Sequence, residues 1–188
     1  SDQLNKLSTD QVQALTTVQV KALTSDQLNG LTSAAIQVLT STELQALTTA
    51  QAQSLTSATL NTLTTGQVQT LTTAVVRAVS TTSLQGLSTD QLNALTSDQV
   101  LALSSSQVQA LTTSQVQDVS TVQIEVLSAA QVKVLTSAQL NVLSSAGMQA
   151  LSTTDVRALT TGQVSALGAG QLNKLSTDQV QALSTTQI

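Results

Sequence analysis

The 188-residue sequence contains no Phe, Trp, Tyr, His, Cys or Pro, and only 9% of its residues are charged, for a formal net charge of −4. Its six Lys and Arg residues are too few for a nucleic-acid surface, it has no aromatic ring to stack on bases, and no apolar run approaches the roughly 20 residues of a membrane-spanning helix. Without His or Cys it lacks the most common general base and transition-metal ligands, so we expect neither an enzyme nor a protein that binds a cofactor, a metal or a small-molecule substrate.

An eight-residue repeat, first complete as LSTDQVQA at residues 7–14, runs to the C-terminus without an insertion or a deletion. We number its positions from the leucine. Among 23 octads, position one is always Leu or Val, position two is Ser or Thr in 22, position five is Gln in 16, and position six is Val, Leu, Ile or Met in 22. This regularity predicts a single uninterrupted array over residues 1–188, part of a longer array or of a fibre.

The period of eight excludes one continuous helix. An α-helix turns by about 100° per residue, so eight residues overshoot two turns by about 80°, and the leucines would wind around the helix instead of facing one core. A coiled coil is excluded as well, because its apolar positions recur about every 3.5 residues.

Positions two to five, S/T-x-x-Q, match the signature of a capping box, as in Ser8-Thr9-Asp10-Gln11. The hydroxyl at position two would accept from the backbone N–H of position five, and the Gln side chain would accept from the backbone N–H of position two. Asp10 would then lie in the first helical turn, where the helix dipole favours it. Position six and the next leucine would share a helical face. We predict one helix of about six or seven residues per octad, ended by the next Ser or Thr.

Such helices are not stable alone, because an isolated helix needs about 12–15 residues. Hydrogen bonds repeated from octad to octad, from the Ser/Thr and Gln positions, must add to the burial of Leu and Val. We therefore predict an all-α fold, a solenoid or superhelix of very short helices with a narrow aliphatic interior. With two octads per coil and a spacing of about 10 Å, the coils would make a rod of about 100 Å.

A β-solenoid is the alternative fold, since Thr, Val and Ile favour strands and Gln side chains form ladders along a stack. Against it, the apolar positions six, eight and one do not alternate strictly, and no column of Gly or Asn provides tight turns.

No catalytic, cofactor-binding or metal-binding residue stands out from the repeat. Asp90 and Asp98, at position four of adjacent octads, could contribute to a calcium site, but solvated Asp near a helix N-terminus is the simpler interpretation. Gly162, Gly168 and Gly170 form a cluster in which Gly168 replaces a capping hydroxyl, so we expect a locally weakened joint there.

Four of the six cations occupy position seven, where we expect them at the outer surface: Lys21, Arg77, Lys133 and Arg157. The other two, Lys6 and Lys174, occupy position eight near each end of the sequence. They belong to two copies of one segment, because QLNKLSTDQVQAL at residues 3–15 recurs unchanged at residues 171–183, after 21 octads. This recurrence indicates duplication of blocks of octads.

The consensus LTTxQVQA, carried from Leu7 to the end, resembles the octapeptide arrays of some very large bacterial secreted or surface-associated proteins. The resemblance covers nearly the whole chain. It implies an extracellular spacer, stalk or filament-forming segment, whereas the composition itself indicates no location.

The invariant period and the lack of an outlier residue favour a structural function. We expect an extended spacer, stalk or filament-forming segment that stacks its octads and associates end to end, because the terminal octads lack the atypical polar caps of a closed solenoid. The alternative is a solenoid that binds a protein or glycan partner along its surface.

Overall fold

The secondary structure is helical throughout the part of the chain that the computed structural model describes, residues 4–188. A short 3-10 helix, Leu4–Lys6, precedes 22 α-helices of four to six residues, one in each successive octad. The prediction of an all-α repeat is confirmed, and the β-solenoid is wrong, since these residues include no strand. The chain forms two compact units, unit 1 (Ser1–Ala102) and unit 2 (Leu103–Ile188).

Unit 1 contains twelve α-helices: α1 (Thr9–Gln13), α2 (Thr17–Ala22), α3 (Ser25–Asn29), α4 (Ser33–Gln37), α5 (Ser41–Gln45), α6 (Thr49–Ser54), α7 (Ser57–Thr62), α8 (Thr65–Thr70), α9 (Thr73–Ala78), α10 (Thr81–Gln85), α11 (Thr89–Ala94) and α12 (Ser97–Ala102). Unit 2 contains ten: α13 (Ser105–Ala110), α14 (Thr113–Asp118), α15 (Thr121–Glu125), α16 (Ala129–Val134), α17 (Ser137–Val142), α18 (Ser145–Ala150), α19 (Thr153–Ala158), α20 (Thr161–Ser165), α21 (Ala169–Leu172) and α22 (Thr177–Ala182).

Helix α8 shows how the sequence starts a helix. Its N-cap, Thr64, has an extended backbone with φ −71° and ψ 157°. The Thr64 Oγ1 atom accepts from the backbone N–H of Gln67 at 3.1 Å, and Gln67 Oε1 accepts from the backbone N–H of Thr64 at 3.0 Å. This is the predicted capping box, and the same reciprocal pair forms at 14 of the described helices.

The same helix shows how the sequence ends one. Leu71, position one of the next octad, has a non-helical backbone with φ −59° and ψ 137°, and its N–H donates to Val68 O at 3.2 Å. The leucine therefore follows the helix, and the expectation that it shares a helical face with position six is wrong. The helices accordingly lie at or below the predicted length. The non-helical leucine and the extended cap that follows it redirect the chain between helices.

Three octads make one coil. In unit 1, α1 packs against α4, α2 against α5 and α3 against α6, and the same spacing of three helices recurs up to α9 with α12. Unit 2 repeats it, as in the pairs α13 with α16, α16 with α19 and α19 with α22. A coil thus contains 24 residues, and the assumption of two octads per coil is wrong. Three changes of direction, not two, bring the chain back over an earlier helix.

The interior of each unit consists mainly of positions one and six. The residue at position six is at most 6% exposed in every helix from α1, where it is Val12, to α20, where it is Val164. Ala52, the one small residue at this position, is fully buried in α6. The predicted aliphatic interior is therefore present in both units.

Candidate functional site

The glutamine at position five joins one coil to the coil before it. In unit 1, Gln67 uses its Oε1 atom in the capping box of α8, while its Nε2 atom donates to Ile36 O and Leu39 O, both at 2.9 Å. These acceptors lie 31 and 28 residues earlier, at the C-terminal end of α4. One amide therefore caps its own helix and the end of an earlier helix.

Unit 2 contains the same bridge. Gln163 accepts from Thr160 N at 2.7 Å and donates to Leu135 O at 2.7 Å and Val132 O at 3.2 Å. Glutamines that form such bridges include Gln51, Gln67, Gln91 and Gln99 in unit 1 and Gln131, Gln139, Gln163, Gln171, Gln179 and Gln187 in unit 2.

These bridges satisfy polar groups that a short helix leaves without partners. The last carbonyls of a helix have no intrahelical donor, and an unpaired buried carbonyl is costly. Each bridging glutamine is itself at most 9% exposed, so its amide also needs its partners. The expectation that Gln hydrogen bonds repeat from octad to octad is confirmed, but the reach of Nε2 across 28 to 31 residues was not predicted.

Asparagine at position seven forms a second link, to the following coil. Asn61 Nδ2 donates to Gly86 O at 2.8 Å, and its Oδ1 accepts from Ser88 N at 2.9 Å. Asn29 and Asn141 make the corresponding pairs 25 and 27 residues ahead. Sequence reasoning missed this role, although Asn repeatedly follows Leu at position six, a pattern that marks these residues.

Where an asparagine Oδ1 atom accepts from the N-cap N–H, the Oε1 atom of the glutamine at position five no longer does. Ser88 compensates, because its hydroxyl donates to Gln91 Oε1 after its N–H has bonded to Asn61. Gly168 has no hydroxyl, and its N–H bonds to Asn141 Oδ1 at 3.0 Å. The Oε1 atom of Gln171 is therefore buried without a hydrogen-bond partner. The weak joint expected at Gly168 stays a prediction, for which this unpartnered atom gives a local reason, and α21 is also the shortest described α-helix.

Two carboxylates replace the glutamine at position five. Glu43 is 3% exposed, and its Oε2 atom accepts from Thr40 N at 2.6 Å, which completes the capping box of α5. Its Oε1 atom is buried without a partner. Asp155 is 4% exposed and caps α19 in the same way through Ser152. Carboxylates keep the acceptor of the bridge but cannot replace its donor.

The acidic residues considered for calcium lie on separate helices. Asp90 is in α11 and Asp98 in α12, and both are exposed. The described residues contain no group of three or more Asp, Glu, His or Cys side chains placed to hold a metal ion. Across the same part of the chain, no helix has the length and apolar character to cross a membrane.

The cations at position seven are exposed, as predicted: Lys21, Arg77, Lys133 and Arg157. Lys174, at position eight, instead donates to Leu143 O at 2.8 Å. Lys133 and Arg157 lie 24 residues apart, one coil, and line one open groove in unit 2. The hydroxyl residues of this groove are Thr160, Thr161, Ser184 and Thr186.

The family comparison agrees with the repeat. The sequence model of the ALTTAQ repeat family matches residues 1–33, 73–105 and 136–169, together just over half of the chain. The search of curated proteins found no match. Each matched segment is longer than one coil, and the matches begin and end within the continuous array of octads. The chain therefore belongs to the ALTTAQ repeat family.

Proposed function

We propose that the chain is a structural segment, a spacer, stalk or filament-forming element whose length is set by its number of stacked coils. The observation that supports this most directly is the repetition of one hydrogen-bonded bridge from coil to coil, as at Gln51, Gln67 and Gln99 in unit 1. Since these bridges join a coil to the one before it, a further coil needs no new kind of contact. Such an architecture can change length while its interior stays the same.

Removal of one whole coil tests the proposal. Deleting residues 49–72, which comprise α6, α7 and α8, joins Thr48 to Thr73 and keeps every octad in register. We expect an unchanged helical circular dichroism spectrum per residue and a maximum dimension in small-angle X-ray scattering that is shorter by about 10 Å, the usual distance between packed helices. A particle that shrinks in all directions would contradict a length-setting role.

A deletion of half an octad is the matched control. Removing residues 49–52 takes out fewer residues but shifts all later positions by four relative to the earlier octads. The glutamine bridges would then meet the wrong backbone atoms, so this smaller deletion should destabilise the protein more than the larger one. Equal stability of both variants would mean that octad register is not what holds the coils together.

Filament formation additionally requires copies to associate end to end, and we include self-association in the proposal. We propose no catalytic function, because Ser and Thr occur throughout as capping residues. The extracellular location that the resemblance implies is likewise a proposal, which cell fractionation and surface labelling of the producing organism would test.

A second candidate function is binding of an anionic glycan in the groove of unit 2. Lys133 and Arg157 occupy equivalent positions one coil apart and place two positive charges beside several hydroxyl groups. The chain as a whole has a net negative charge. Isothermal titration with a sulfated oligosaccharide should then give binding that K133Q/R157Q abolishes and K21Q/R77Q retains. Equal titration curves for the two variants would refute this candidate.

A further inference from the structure

Glu43 is a buried acid at a position that a glutamine amide occupies in most octads. It lies in α5 of unit 1 and is 3% exposed. Its Oε2 atom accepts from Thr40 N at 2.6 Å and from the Thr40 hydroxyl at 2.7 Å. Its Oε1 atom is buried and accepts no hydrogen bond from a described residue. One carboxyl oxygen is therefore fully bonded, while the other lacks the partner that a buried polar atom needs.

The neighbouring joint shows which groups lie opposite the second carboxyl oxygen. Gln51, at position five of α6, follows Glu43 by one octad and joins the same two coils. Its Nε2 atom donates to Val20 O at 2.8 Å and to Leu23 O at 2.9 Å, 31 and 28 residues earlier. These carbonyls belong to the C-terminal end of α2. A position-five side chain of one coil thus meets a helix end of the coil before it.

The carbonyls that this register assigns to Glu43 are those of Val12 and Leu15, at the C-terminal end of α1. Val12 O accepts from Leu15 N at 3.1 Å, the same turn that follows Val20. No described side chain donates to either carbonyl. The register thus brings three acceptors together where Gln51 pairs a donor with two acceptors. The missing element is one hydrogen atom on Oε1 of Glu43.

We propose that Glu43 is a proton-operated latch between the coil formed by α1, α2 and α3 and the coil formed by α4, α5 and α6. In its protonated form, Oε1 donates to Val12 O or Leu15 O, and in its ionised form the carboxylate leaves this contact open. The proton resides on Oε1 because Oε2 already accepts two hydrogen bonds from Thr40. The unfolded chain has no such contact, so binding of the proton favours the folded state and this joint is stronger in acid.

The helices around Glu43 carry few charges that could act in place of the proton. Helix α5 packs against α2 and α8, of which α2 carries only Lys21 and α8 carries no charged residue. Helix α1, which provides the two carbonyls, carries only Asp10. Both Lys21 and Asp10 are exposed. A joint made by a glutamine amide does not titrate, so the latch makes one coil-to-coil contact respond to acidity while its neighbours do not.

Urea unfolding at about pH 7 and at about pH 3.5, on either side of the ordinary titration of glutamate, tests the latch. We expect the midpoint of Glu43→Gln to lie above that of the unmodified chain at the higher pH, and the gap to close in acid. The matched control is Glu125→Gln, which removes the same charge at an exposed site and should show no such change with pH. A gap that stays constant or widens in acid would overturn the proposal.

Gln51→Glu transfers the latch to the neighbouring joint. This variant keeps the acceptor that completes the capping box of α6 but loses the donor to Val20 O and Leu23 O. We expect a lower urea midpoint than in the unmodified chain at about pH 7 and recovery in acid. If the variant unfolds at neutral pH, circular dichroism should show that acid restores its helices. A loss that acid does not reverse would mean that a protonated carboxyl at position five cannot bridge two coils.

Carbon-13 NMR of the backbone carbonyls identifies the acceptor. On acidification of the unmodified chain, the carbonyl signal of Val12 or Leu15 should move in the direction of a new hydrogen bond. In Glu43→Gln the amide already donates there, so the same signals should stay where they are. Carbonyl signals that do not move in the unmodified chain, or that move equally in Glu43→Gln, would show that Glu43 makes no acid-dependent contact with α1, which overturns the latch.

Discussion

Glutamine suits position five because one short side chain carries an acceptor and two donors. At Gln99, Oε1 accepts from Thr96 N at 2.8 Å while Nε2 donates to Val68 O at 2.8 Å and Leu71 O at 2.7 Å. The first amides and last carbonyls of a helix have no partners within it. Since a helix of five or six residues consists largely of such groups, this single residue type decides much of the stability of a coil.

Glu43 is the position-five residue whose replacement should stabilise the protein most clearly. In Glu43→Gln the buried, unpartnered Oε1 atom gives way to an Nε2 donor, which the register of the other bridges directs to the carbonyls of Val12 and Leu15, 31 and 28 residues earlier. We expect a gain of about 1–3 kcal/mol in the free energy of unfolding, measured in urea. Glu125→Gln, at an exposed site, should change it by less than about 0.5 kcal/mol.

Gly168 offers a second stabilising change. A serine would donate to the unpartnered Oε1 of Gln171, as Ser88 does to Gln91, and a Cβ atom at this residue would meet Asn141 Oδ1 at an acceptable 3.8 Å. Gly168→Ser should therefore raise the free energy of unfolding by about 1 kcal/mol, because a buried acceptor gains a hydrogen bond, and slow amide hydrogen exchange in α21. Gly168→Ala adds the Cβ atom without the hydroxyl. A gain as large in that variant would show that the hydroxyl is not responsible.

At the scale of the helix, side-chain hydrogen bonds to the terminal backbone groups contribute more to stability than the intrinsic helix propensity of a residue. Ala is the better helix former, yet Gln67→Ala would leave Thr64 N, Ile36 O and Leu39 O without their side-chain partner. We expect a loss of about 2–4 kcal/mol in the free energy of unfolding, and unfolding of the array when every position-five Gln is replaced. Gln69→Ala, in the same helix but exposed, should cost less than about 0.5 kcal/mol. Similar losses for both would show that the bridge adds no stability.

The local part of each helix follows from sequence, whereas the coil does not. The bond between Thr64 and Gln67 spans three residues, so the S/T-x-x-Q pattern specifies it directly. The number of octads per coil depends on the backbone angles at residues such as Leu71, and the octad pattern does not specify those angles. One signal was present: 21 octads, the shift between the copies at residues 3–15 and 171–183, is seven coils of three but no whole number of coils of two.

The bridges to other coils were the hardest feature to predict. Asn61 reaches Gly86 and Ser88, and nothing in a local pattern says that a residue 25 or 27 positions ahead lies above it. Once the coil length is known, however, the partners of the other position-seven asparagines follow by the same offsets, as at Asn141. Coil length is thus the one quantity that must be known before these long-range contacts can be predicted from the sequence.

For the whole molecule, the repeated interface implies stability that depends on neighbouring coils. Helices α6, α7 and α8 of unit 1 pack against earlier helices, α3, α4 and α5, and against later ones, α9, α10 and α11. Within the described chain, α1, α2 and α3 have partners only on the later side. The N-terminal coil should therefore open at a lower free energy than the middle of unit 1.

Native-state hydrogen exchange can measure that difference. In dilute protein, backbone amides of α1, α2 and α3 should exchange faster than those of α6, α7 and α8, by tenfold for each 1.4 kcal/mol or so of difference in opening free energy. Protection that is uniform along unit 1 would mean that the unit opens as one block, and that coil-by-coil stability is not how this array is held together.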